Sequence, residues 1–185
     1  MSQTEKKAIS LFREQIQAAH GLLEGTIADV TTEQAHWSPQ GKAMPLGATY
    51  AHVVISEDAT INGLFKGGIP LFASAWANKV GVNALPPMPN PDAPGFPDWS
   101  EWSRQVKVDL DTLRPYAQAV YTASDDYLAS ITDDDLNRPI NLSALGLGEK
   151  TMGYILINGV VGNAFTHCGE ISCLKGLQGY QGYPA

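Results

Sequence analysis

Positive charge is the first scarcity in this sequence of 185 residues: twelve Lys and Arg face nineteen Asp and Glu, for a formal net charge of −7. The densest basic run is Lys6-Lys7. An acidic surface repels phosphate backbones and anionic lipid, so nucleic acid and membrane are not expected partners. Long apolar runs are also missing, and none approaches the roughly 18 residues that span a bilayer. The opening MSQTEKKAIS is polar and charged, so no secretory signal is expected. Cysteine occurs only as Cys168 and Cys173. Five apart on one predicted helix, they point about 140° away from each other at ~100° per residue, which argues against a mutual disulfide. Reduced thiols in a cytoplasmic protein are the expectation. Phosphate-loop, Gly-x-Ser-x-Gly and His-Glu-x-x-His motifs are absent, which removes the nucleotide, serine-hydrolase and zincin signatures.

What remains is a chain of 44% hydrophobic residues, enough to bury one core, so a single domain over residues 1–185 is expected. Its apolar residues recur in steps of three and four. Phe12, Ile16, Ala19, Leu23, Ile27 and Val30 predict a helix over about 4–30, ended by the turn formers of TTEQAHWSPQGKAMPLG. A second helix is expected over about 48–65, stopped by Gly67, Gly68 and Pro70. Residues 67–97 form a long connection with six prolines between Pro86 and Pro97, where helix and ladder are both excluded. A short helical piece fits LFASAWANKV within it. Connections of such length are functional or wrap the surface. The third helix starts at Asp98 or Ser100 and carries Trp99, Trp102, Val106, Leu110, Leu113, Ala117 and Val120, with Pro115 expected to kink or split it. Residues 132–150, including the three aspartates of ITDDDLNRP, read as a solvated loop. A fourth helix runs over about 152–177. The expected fold is all-α: an up-down-type four-helix bundle with one long Pro-rich crossover.

The last helix has two readable faces. Leu156, Val160, Asn163, His167, Ile171 and Leu174 form an apolar stripe interrupted by a polar pair at i and i+4, with Glu170 close by. Such a pair inside a bundle is costly unless its polar atoms are met. The other face, Gly159, Gly162, Thr166, Gly169, Cys173 and Gly176, is uniformly small. Each glycine costs ~1 kcal/mol of helix propensity against alanine, which close approach of a neighbouring helix, or of the same helix in a homodimer, would offset. Of the other histidines, His20 reads as a boundary residue and His36 as a loop residue beside Trp37. His52, early in helix two on a strip with Ala48, Ile55 and Ala59, is a second inward imidazole.

Three stretches, HWSPQGKAMPLGATYAHVVISED, ITDDDLNRPI and TMGYILINGVVGNAFTHCGEISCLKGLQGYQGYP, together resemble the DinB superfamily of four-helix bundles, which includes bacillithiol and mycothiol S-transferases. The resemblance implies a divalent metal, zinc, nickel or iron, held by one histidine of helix two and two of the last helix. His52 matches the first and His167 the last; the middle one falls on Asn163, whose neutral carbonyl is a poor donor beside imidazole. Glu170 could substitute as an oxygen ligand. Cys168 lies about 100° round the helix from His167 and is read as a small buried thiol rather than a nucleophile.

Three readings stay open. In the first, a metal on His52 and His167, completed by Asn163, Glu170 or water, supports hydrolysis or thiol S-transfer. In the second, the pocket binds a small molecule without metal. In the third, the polar cluster is a satisfied core network in a structural dimer. No residue is assigned a catalytic role by the sequence.

Overall fold

The computed structural model describes residues 7–184. Four helices carry the bundle: α1 (Ala8–Ile27), α3 (Leu46–Asp58), α5 (Leu110–Ser130) and α7 (Gly162–Leu177); α2 (Thr32–His36), α4 (Ser100–Gln105) and α6 (Met152–Ile155) are short. Helices α1 and α3 each pack against both α5 and α7. The expected stripes are the buried ones: Ile16, Ala19, Leu23 and Ile27 in α1, and Leu110, Leu113, Ala117 and Val120 in α5. Among the described residues, no helix is long and apolar enough to cross a membrane. The part of the first expected helix that precedes residue 7 lies outside the described residues.

Several elements depart from expectation. The turn after α1 contains α2, held by a capping box between Thr31 and Gln34. Helix α5 runs unbroken through Pro115. The break comes earlier, at residues 106–109, where Val82 and Val108 form an isolated β-bridge and the Asp109 side chain accepts from Asp111 N to cap α5. Gly81 makes that junction possible. Its φ is +79°, and a Cβ there would stand 2.5 Å from the backbone nitrogen of Leu113. Residues 132–150 are not a plain loop. They hold a 3-10 turn (Asp133–Asn137) and a two-stranded antiparallel sheet of β1 (Pro139–Asn141) and β2 (Glu149–Thr151), with Ile140 opposite Lys150. Strands of three residues are too short to leave alternation in the sequence. Asp133 accepts from the backbone nitrogens of Ala8 and Ile9, both at 3.0 Å, so this acidic turn caps α1 from more than a hundred residues away.

Among the described residues, no other helix of the bundle lies against the glycines of the small-residue face. Thr166, Cys173 and Gly176 are exposed, and the chain's own end covers part of the rest, with Tyr183 over Gly169 and Gly182 against Ser172.

The long crossover folds back as a strap. Asp58 at the end of α3 accepts from the backbone nitrogens of Leu71 and Phe72, both at 2.9 Å, which fixes where the strap begins. The indole nitrogen of Trp102 donates to Ala84 O at 2.9 Å, that of Trp99 to Pro87 O at 3.1 Å, and Gly95 N donates to Ala144 O at 3.0 Å. With proline removing ladder donors, these tertiary bonds, two of them from indole side chains, hold the segment in place.

Candidate functional site

Helices α3 and α7 bring the two inward imidazoles together. The rings of His52 and His167 lie 5.1 Å apart, edge to face, and the ring of Trp99, just before α4 at the end of the strap, lies 4.3 Å from His52. His52 is only 4% exposed, and its Nδ1 is 3.3 Å from Ser56 Oγ, one turn along α3. His167 is more open, with 17% of its side chain exposed, and its Nδ1 is bonded to Glu170 Oε2 at 2.6 Å. The stripe therefore faces inward through Leu156 and Val160 of the turn before α7 and Ile171 and Leu174 of α7, which are buried. Asn163 and His167 are half-buried at its edge.

That edge opens on a cavity of about 370 Å³, within the usual range for small-molecule sites. His52, Ser56 and Asn163 stand on its bundle side, and Met88, Phe96 and Trp99 of the strap and Leu142 and Leu147 of the β1–β2 connection complete its lining. His167 is not among the lining residues; it stands beside His52.

Both helices that carry the imidazoles change to π geometry beside the cavity, over Ala59–Phe65 after α3 and Leu156–Val161 before α7. Ala59, Thr60, Leu64, Asn158 and Gly159 of these wider turns line it. A π turn spreads side chains that a regular helix would stack, and such turns concentrate at functional sites. Gly162 permits the second one, since a Cβ there would lie 2.8 Å from the Ile157 carbonyl oxygen.

Burial first, and the neighbouring His167 second, push the His52 pKa down from 6.5 to about 4. His52 is therefore a neutral imidazole at pH 7. The unfolded chain binds the extra proton between these two values, so stability falls as pH drops from about 6.5 toward 4, by about 3 kcal/mol at roughly 1.4 kcal/mol per pKa unit. Calorimetry from pH 7 to 4.5 should show a shallower loss of melting temperature in His52→Asn than in the wild type. Parallel curves would mean that His52 is not held neutral.

The three positions of the implied metal set stand near one another, but the donors at them fall short of that set. Among the described residues, no group of three or more His, Cys, Asp or Glu is placed to hold an ion. Two imidazoles stand together, the third donor is the Asn163 amide, and Glu170 is spent on His167. A structural or catalytic zinc takes at least three imidazole, thiolate or carboxylate ligands. The residues present do not fit a divalent ion as resident cofactor.

The sequence reading missed a second polar network. His20 is buried, not a boundary residue. Its Nε2 lies 2.8 Å from Glu57 Oε2, Ser124 Oγ donates to Glu57 Oε1 at 2.6 Å, and its ring stacks on Tyr121 at 3.7 Å. The carboxylate lies between serine and histidine, so the imidazole cannot take the serine proton and no triad results. The acidic pair Glu57-Asp58, set directly behind the apolar HVVIS of helix two, was the available signal. His36 is locked as a strut: its Nδ1 meets Thr32 O at 2.7 Å and its Nε2 accepts from Val108 N at 2.9 Å. Cys168 is buried beside Thr26, its thiol pKa raised by burial, and Cys173 is exposed.

A family model described as the DinB superfamily matches residues 15–171. A solved structure titled as a conserved protein of locus from Enterococcus faecalis is similar in fold, with a TM-score of 0.73 and 22% sequence identity, over 93% of this chain and 97% of that one. No curated protein matches the sequence.

Proposed function

This chain belongs to the DinB superfamily, and on that premise we propose that it is a small-molecule-binding protein whose ligand occupies the cavity between α3, α7 and the Pro-rich strap. One observation carries the reading: a cavity of about 370 Å³ roofed by side chains of the crossover and floored by His52 and Asn163. The strap buries no core of its own comparable to the bundle's. Leu85, Met88 and Phe96 remain exposed, a placement that suits a cover over a ligand better than a structural layer. Because the donor set falls short of a metal site, no hydrolysis or thiol transfer through an ion is assigned to the cavity. The neutral His52 serves as a hydrogen-bonding wall, and Trp99 as an aromatic one.

The test uses an apolar fluorescent probe, N-phenyl-1-naphthylamine. Its emission should rise saturably with the wild-type protein and fail to rise with Ala59→Trp, which fills the cavity from the π turn. Equal binding by both proteins would place the probe elsewhere and end the proposal.

A further inference from the structure

The cavity lining carries a signature of its ligand that the volume alone does not. Among the described residues, the twenty that line it include no Asp, Glu, Lys or Arg. A carboxylate or phosphate entering it would find no cation on the wall itself, where Lys150 reaches only the ring of Tyr154, 5.4 Å from its centroid, and an ammonium would find no carboxylate there. Moving an ion from water into such surroundings unpaired is strongly unfavourable. The nearby carboxylate of Glu170 is bonded to His167, which stands outside the lining.

The polar groups that are present have unequal freedom. Ser56 Oγ is shared with His52 Nδ1, Thr60 Oγ1 donates to Ser56 O, and Asn158 Nδ2 donates to Tyr154 O. Asn163 is different. Among the described residues, nothing meets its side-chain amide, and nothing meets His52 Nε2. Among the described residues no buried side-chain nitrogen or oxygen lacks a partner, so that Nε2 retains accessible surface. A half-buried amide, which both donates and accepts, therefore stands on the cavity wall with its hydrogen bonds unspent, one helix away from an imidazole with a free nitrogen. Apart from the hydroxyl of the exposed Tyr154 and the Asn158 amide oxygen, the rest of the wall is apolar or already bonded.

Resting on the small-molecule reading above, the geometry points to an uncharged ligand: an apolar body with one amide, carbonyl or hydroxyl group that bonds the Asn163 side chain. The apolar body lies among Met88, Phe96, Trp99 and Leu147, and the polar end faces α7. At crystal-like packing the space holds roughly a dozen to twenty non-hydrogen atoms, the size of a substituted bicyclic ring.

Three isosteres separate the possibilities by titration calorimetry at pH 7: 2-naphthamide, which is neutral, 2-naphthoate, an anion, and 2-naphthamidine, a cation. The amide is expected to bind at least tenfold more tightly than either ion. Asn163→Leu should weaken the amide at least fivefold while leaving 2-methylnaphthalene within twofold. Either ion binding as tightly as the amide overturns the inference, as does an Asn163→Leu protein that holds the amide undiminished. If the fluorescent probe binds the cavity and the amide does not, the ligand class is wrong and the cavity reading stands. If neither binds, both fall.

Discussion

Asp58→Ala is expected to cost about 3–5 kcal/mol of stability, the usual range for stripping a buried charged hydrogen-bond hub from its partners. Asp58 has no exposed surface. Its Oδ1 accepts from Asn62 Nδ2 at 2.8 Å and from Leu71 N at 2.9 Å; its Oδ2 accepts from Phe72 N at 2.9 Å and from the Tyr116 hydroxyl at 2.7 Å. Alanine would leave two backbone donors and a phenol facing a void. Burial first and Asp58 second already hold that phenol well above its ordinary pKa, so it stays a donor in need of an acceptor. The effect reaches the cavity because Leu71 and Phe72 begin the strap. Urea unfolding should show the loss of stability, and probe binding should weaken in the variant under conditions where it is still folded. A loss below about 1 kcal/mol would mean that the strap is anchored elsewhere.

Asn163→His should raise affinity for zinc or cobalt by at least about a hundredfold, since it supplies the third nitrogen ligand of a tetrahedral site with an open position. Positions 163 and 167 are one turn apart on α7, and the 5.1 Å separation of the His52 and His167 rings brings the third helix position within reach of the same point. Cobalt absorption in the visible should appear in the variant and stay weak in the wild type. Identical titrations of the two proteins would show that the three positions do not converge. The same variant should lose amide binding, because the imidazole takes the space and the hydrogen bonds of the native amide.

The histidine pairing was legible because it rests on periodicity. Steps of three and four placed His52 and His167 on inward strips of two different helices, and a bundle of this length leaves such strips facing each other. A pocket beside His52 was expected, but its apolar lining and its roof were not legible, for three physical reasons. A π turn shifts register by a single residue, so Leu156 and Val160 keep an apolar spacing that reads as ordinary helix while the turn widens around Gly159. The strap's path depends on tertiary bonds, Asp58 to Leu71 and Phe72 and Trp99 to Pro87, between residues without local pattern. The break before α5 is set by Asp109 and Gly81 in contact across the fold, which outweighed the local signal from Pro115. His20 was misplaced for a similar reason. It sits one step off its stripe, and only the arrival of Glu57 from α3 makes burial affordable.

A crystal structure of the protein with 2-naphthamide tests the central claim most directly. The account predicts the ring system beneath Trp99 and Phe96, with its amide within hydrogen-bonding distance of the Asn163 side chain. Naphthamide bound on the outer surface, with the space beside His52 filled only by water, would contradict it.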